Sequence, residues 1–276
     1  MIDYHLYKSV NNAAPYTLGI ALSGGGARGV AHAGALKALS EAGVKPDIVA
    51  GVSAGSIVAA LWGAGVSPDD MLQMFLHCKF GDFCSLGMPS DGFFRMDKFR
   101  EILRKKLGYE RIEQLPMPVV IGATNFDTGA KVAFERGPLA DCVCASCSIP
   151  IVFKPVKIDG VRYVDGGVVA NMPSWSIRER CHTLIGINVS PLSDYRPKDN
   201  LVQIALRSFE LMSKNNSAPD MALCDMVIRT DKIARYKVFD LKGIEAVFES
   251  GYEYMNVAIQ QHPELMFSGS AVSATA

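Results

Sequence analysis

Apolar residues along the chain fall into short β-branched runs, separated by stretches in which they recur every three or four positions. The runs at residues 17–22, 48–52, 118–123, 184–189 and 226–229 predict strands. The periodic stretches predict helices over residues 29–41, 54–63, 68–78, 97–107, 201–213 and 244–261. Strands alternating with helices predict an α/β fold in three layers, α/β/α, with a mostly parallel central sheet and active residues at the carboxyl ends of strands. Two segments break the alternation as hairpins: "ATNFDTGAKVAFERG", turning at Asp127-Thr128-Gly129, and "VKIDGVRYVDGG", turning at Asp159-Gly160. Residues 80–94 read as an aromatic, glycine-rich loop, and no repeat, low-complexity tract or linker interrupts the rest.

Between Asp47 and Asp69 the sequence "IVAGVSAGSIVAALWGAGVSP" carries no charge and is long enough to span a bilayer. Its inner pattern, a β-branched run broken by Gly-x-Ser-x-Gly and followed by small residues, predicts a buried strand, turn and helix instead. The N-terminal "MIDYHLYKSVNNAAP" has neither the basic nor the apolar region of a secretory signal. With 276 residues, length allows one large domain or two small ones.

Charge removes one class of partner: Lys plus Arg and Asp plus Glu both number 28, so no net field favours nucleic acid. Seven cysteines, an odd number, fit reduced thiols in a cytosol better than a disulfide framework. Cys142, Cys144 and Cys147 lie close together in "DCVCASCSIP". No second Cys or His pair with ligand spacing accompanies them, so packing of small residues is the better reading and no metal is expected.

"GGGARG" at residues 24–29 has the G-x-G-x-x-G spacing of a dinucleotide turn between a strand and a helix. The next strand argues against a nucleotide, because it ends in Gly51-Val52-Ser53 where a ribose-binding acid belongs, and no Gly-Lys-Ser/Thr follows the glycines. Gly51-Val52-Ser53-Ala54-Gly55 has the pattern of a nucleophile elbow, in which a sharp strand-to-helix turn projects a serine hydroxyl. The glycine turn on the preceding strand can then offer backbone N–H groups to an oxyanion. Two blander readings stay open, a plain βα turn for the glycines and a helix N-cap for Ser53.

A base for Ser53 is less obvious. His5 lies in a tail, His32 in a helix, His77 and His262 at helix ends and His182 before a strand, none of them in an evident loop beyond a strand's carboxyl end. Only one strand precedes that of Ser53, which does not fit the α/β-hydrolase order. Asp165, at the end of a β-like run and followed by Gly166 and Gly167, is the remaining candidate, and it equally fits an Asp-Gly turn. Burial would have to raise its basicity.

Together these residues resemble the patatin-like phospholipases, lipid acyl hydrolases with a Ser-Asp dyad. Three motifs match in order: Gly24-Gly25-Gly26-Ala27-Arg28-Gly29, Gly51 to Gly55, and Asp165-Gly166-Gly167. "ASCSIPIVFKPV" at residues 145–156 is similar to a fourth, and Asn171 and Pro173 fit the stretch after the aspartate. The resemblance implies a single patatin-like domain over residues 1–276, with a core of about 17–190 completed by the C-terminal helices. It implies Ser53 as nucleophile, Asp165 as general base, and Gly24, Gly25, Gly26 and Arg28 as the oxyanion turn, with no cofactor. Arg28 also reads as a solvated cation of the first helical turn. The implied substrate is a fatty acyl ester or phospholipid, met in the cytoplasm or in transient contact with a membrane surface. Transfer of the acyl group to an alcohol, or a weakly active lipid-binding regulator, remain alternatives. Met71, Met74, Phe75, Phe80, Phe83, Leu86, Met88, Phe93 and Phe94 form an apolar region that fits an acyl groove, a membrane contact or a cap on the core.

Overall fold

A computed structural model describes residues 2–4, 14–77, 85–86, 94–193, 200–238 and 241–264. The strands are β1 (Ile2–Tyr4), β2 (Tyr16–Leu22), β3 (Ile48–Val52), β4 (Ser85–Leu86), β5 (Phe94–Arg95), β6 (Val119–Asn125), β7 (Lys131–Phe134), β8 (Val156–Ile158), β9 (Val161–Asp165), β10 (Cys181–Asn188) and β11 (Met226–Arg229). The helices are α1 (Val30–Glu41), α2 (Ala54–Gly63), α3 (Pro68–Leu76), α4 (Asp97–Leu107), α5 (Leu139–Ser146), α6 (Leu201–Met221) and α7 (Ile244–Gln261).

The main sheet runs β1-β11-β10-β2-β3-β6-β9-β8, with β7 also on β6. Its centre, β11 to β6, is parallel, and the antiparallel strands sit at the rims. Both predicted hairpins form, β6 with β7 and β8 with β9, the latter turning through Asp159 and Gly160 at positive φ.

Because side chains alternate along a strand, the central strands feed two separate cores. Ile20, Leu22, Val49 and Ile121 enter a large core with α1, α2, α5 and α7. Ala21, Ile48, Ala50, Val120 and Leu184 enter a smaller one with Met172, Ile177, Cys181 and Cys224, closed by the end of α6 at Met221. The sheet is therefore covered on both faces, unequally. α2 is buried on nearly every side, which explains its uncharged sequence without a membrane. Among the described residues no helix is long and apolar enough to cross a bilayer.

Candidate active site

Register on β6 brings the two candidate catalytic residues together. At Gly122, β6 pairs with Val52 of β3 and Ala133 of β7; at Ala123, with Asp165 of β9 and Val132 of β7. A strand has two edges, and β7 takes one, so β3 and β9 share the other. β3 runs parallel to β6 and β9 antiparallel, so their carboxyl ends meet head on. Ser53 is the first residue past one end, and Asp165 is the last residue of the other.

Ser53 takes φ 52° and ψ −125°, a region that side chains rarely adopt. Its backbone is fully tied: the N–H donates to Ser146 Oγ at 2.8 Å, and the carbonyl accepts from Ser56 N at 2.8 Å and Ser56 Oγ at 2.6 Å. The turn is so tight that a Cβ on Gly51 would stand 2.3 Å from the Gly55 carbonyl oxygen, and one on Gly55 would stand 2.3 Å from that of Leu22. What remains free to react is the Ser53 side chain, 6% exposed at the floor of a cleft.

Asp165 is wholly buried. Its N–H donates to Ser148 O at 2.9 Å, its carbonyl accepts from Thr124 Oγ1 at 3.0 Å, and its Oδ1 accepts from Gly167 N at 2.8 Å. Oδ2 is buried without a hydrogen-bond partner. Burial raises the carboxyl to about 7, against the smaller opposing pull of the Gly167 N–H and the nearby Ser53 hydroxyl. That hydroxyl is near enough to favour the anion, although no aligned hydrogen bond joins it to Oδ2, a looseness common in unliganded active sites. The loop after Asp165 is fixed by α6, whose Asn216 Nδ2 donates to Gly167 O at 2.9 Å and Val168 O at 3.1 Å, and whose Ser213 Oγ donates to Gly167 O at 3.1 Å.

The glycine turn follows β2 as a short 3-10 segment, Gly26–Gly29, with Gly26 at φ 59°. Gly24 N–H donates to Asn171 O at 3.2 Å and Ala27 N–H to Val238 O at 2.7 Å. Between them, the amides of Gly25 and Gly26 meet no acceptor among the described residues, and both residues line the cleft beside Ser53. Arg28 turns out to be neither solvated nor idle. It is 1% exposed and donates to Tyr236 O at 2.8 Å, Pro191 O at 2.6 Å and Ser193 Oγ at 2.5 Å, with Glu210 at 3.5 Å. It ties the turn to α6 and to the segment after β10.

The cleft encloses about 420 Å³ of empty space, counting the part open to solvent. Its apolar wall is Ile149, Leu206, Phe209 and Val238, residues the sequence did not single out for this role. Leu206, Phe209 and Ser213 follow helical spacing on α6, the one signal that marked them. Of the apolar region around residues 71–94, Met71 is fully buried, and Met74, Phe75 and Phe94 pack on the large core. Phe80, Phe83, Met88 and Phe93 lie outside the described residues, as does the side chain of Leu86. None of the four described histidines lines the cleft, and His32, which donates from Nε2 to Ser23 O at 2.8 Å, is lowered by burial to about 4 and stays neutral. Cys142 and Cys144 are buried core thiols, both raised by burial to about 12.

A family model described as patatin-like phospholipase matches residues 20–176, more than half of the 276-residue chain. An uncharacterized NTE family protein of Mycobacterium tuberculosis is 35% identical over 167 residues, which cover 59% of this chain and 46% of that one. Lysophospholipase NTE1 of Saccharomyces cerevisiae is 25% identical over 266 residues, 91% of this chain and 15% of its own. The chain spans less than half the length of these curated relatives. Among solved structures, VipD from Legionella pneumophila aligns over 90% of this chain and 67% of its own, with a TM-score of 0.62 at 16% identity, a likeness of fold. On the family match, the chain belongs to the patatin-like phospholipases.

Proposed function

We propose that this protein is a serine hydrolase of lipid acyl esters, with Ser53 as nucleophile and Asp165 as general base. The head-on meeting of β3 and β9 carries the reading, because it sets a strained, outward serine beside a buried carboxylate oxygen that lacks a proton donor. A carboxyl raised to about 7 suits proton transfer near neutral pH.

In the first step Asp165 Oδ2 takes the Ser53 proton as Oγ bonds to the ester carbonyl carbon, and the carbonyl electron pair moves onto oxygen. The amides of Gly25 and Gly26 donate to that oxyanion. Its collapse breaks the ester C–O bond, and the leaving alkoxide takes the proton from Asp165. Water then gives a proton to Asp165 as it attacks the acyl-serine, and the fatty acid leaves as Ser53 recovers that proton.

The reading treats residues 1–276 as one domain, in which α6 supplies a cleft wall and α7 packs on α1. Contact with a lipid surface belongs to the same reading, since α6 exposes Leu201, Ile204, Leu211 and Met212 on the face away from Leu206 and Phe209. The five described cysteines are free and buried, which supports a reducing compartment such as the cytoplasm. The name of the yeast relative makes a monoacyl phospholipid the first substrate to try. Fatty acid release from lysophosphatidylcholine and from short-chain p-nitrophenyl esters tests the proposal. Ser53→Ala should lower kcat at least ~10³-fold, and full activity in that variant overturns it.

A further inference from the structure

Resting on that reading, we infer that Ser146 is a positioning residue for the dyad, acting through its hydroxyl on the backbone of Ser53. Ser146 ends α5 and is wholly buried, outside the residues that line the cleft. Its Oγ accepts from Ser53 N–H at 2.8 Å and donates to Gly122 O at 2.6 Å. A hydroxyl has one proton to donate and lone pairs to accept with, so this one is inserted between β6 and the first residue beyond β3. It carries the sheet's hydrogen bonding one step past the point where the chain leaves for α2, and so holds the amide of a residue at φ 52°.

Two residues later the same turn holds the partner. The Ser148 carbonyl accepts the Asp165 N–H at 2.9 Å, and Ser148 Oγ donates back to Cys144 O at 2.7 Å, tying the turn to its own helix. Gly122 and Ala123 set the facing strand ends, and the turn at residues 146–148 holds Ser53 and Asp165 from outside the sheet. Cys147, between the two serines, packs its thiol 3.8 Å from Ser56 Oγ. Removing the Ser146 hydroxyl leaves the Ser53 amide and the Gly122 carbonyl buried and unmatched, and only the carbonyl side of Ser53, bonded to Ser56, still holds the elbow in its strained conformation. A displacement near 1 Å at a reacting group costs about 10²-fold in rate.

Ser146→Thr and Ser146→Val test this, since they match in size and differ in the hydroxyl, alongside Ser146→Ala. The expected result is that Thr keeps kcat within a few-fold of wild type, while Val and Ala lose about 10- to 100-fold in kcat and in fluorophosphonate labelling of Ser53, with KM unchanged. Equal behaviour of Thr and Val, whether both active or both unfolded, overturns the inference, because packing alone would then account for Ser146. The Ser53 backbone in a crystal structure of Ser146→Ala decides the same point without any substrate. Departure from positive φ supports the role and its retention refutes it, even if wild type hydrolyses no ester and the hydrolase reading falls.

Discussion

Ser53 and Asp165 stand at the facing ends of two strands that share one edge of β6, one paired through Gly122 and the other through Ala123. The separation of the candidate nucleophile and base is therefore set by adjacent residues of a buried strand, and not by flexible loops. This is the kind of support that catalytic geometry requires.

The first prediction concerns pH. If Asp165 must be ionised to take the Ser53 proton, kcat/KM falls tenfold per unit below an apparent pKa near 7, the value to which burial raises the carboxyl. His32, lowered to about 4, cannot give that limb. Initial rates from pH 5 to 9 in wild type and His32→Asn check this, and disappearance of the limb in the histidine variant would assign it wrongly here.

The same carboxyl weakens the fold at high pH. Its folded pKa, about 7, lies above the ordinary aspartate value of 3.8, so the folded protein holds a proton that the unfolded chain releases between those values. Stability is unaffected below about pH 4, falls by up to ~1.4 kcal/mol per unit through that window, and stays lowered above it. Asp165→Asn should thus gain on wild type from pH 4 to 7, and more slowly or not at all beyond. Urea unfolding at a series of pH values reads the difference; a gap that shrinks with rising pH contradicts the burial argument.

Strain at Ser53 makes a prediction of its own. Glycine tolerates φ 52° where alanine does not, so Ser53→Gly should be more stable than Ser53→Ala by about 1 kcal/mol, though both lack the nucleophile. Thermal or urea melts of the two inactive variants give the answer directly.

Arg28 should behave as a clamp. Its guanidinium is spent on Tyr236, Pro191, Ser193 and Glu210, so Arg28→Ala costs about 1–3 kcal/mol by stripping the part-buried carbonyls of Tyr236 and Pro191 of their donor, while Glu210 keeps Arg207 at 2.8 Å. An unchanged stability with a raised KM would instead place the arginine against the substrate.

Much of this was legible along the chain, because glycines and strand ends mark turns without tertiary help. α2, α4 and α7 have the predicted bounds, since each begins and ends at a local signal. α6 runs eight residues past the predicted end at Ser213, through Pro219 to Met221, because Ser213 and Asn216 are held by the loop after Asp165. α5 was not foreseen, its small residues and cysteines giving no polar face to read. Among the described residues β1 pairs with β11 alone, a partner more than two hundred residues away. Ser53 and Asp165 could be named from sequence, but the shared edge that joins them is a matter of register. The direction of Arg28, buried toward α6, depended on the fold in the same way.

The central claim is a Ser53 nucleophile activated by Asp165, and the rate of fluorophosphonate labelling measured against pH by intact mass tests it most directly. Wild type should take up one label per chain, on Ser53, with a rate that rises tenfold per pH unit and levels off near pH 7; Asp165→Asn should lack that rise and label at least ~10²-fold more slowly at pH 7 and above. Labelling at another residue, or an Asp165→Asn variant that reacts at the wild-type rate, would contradict the dyad.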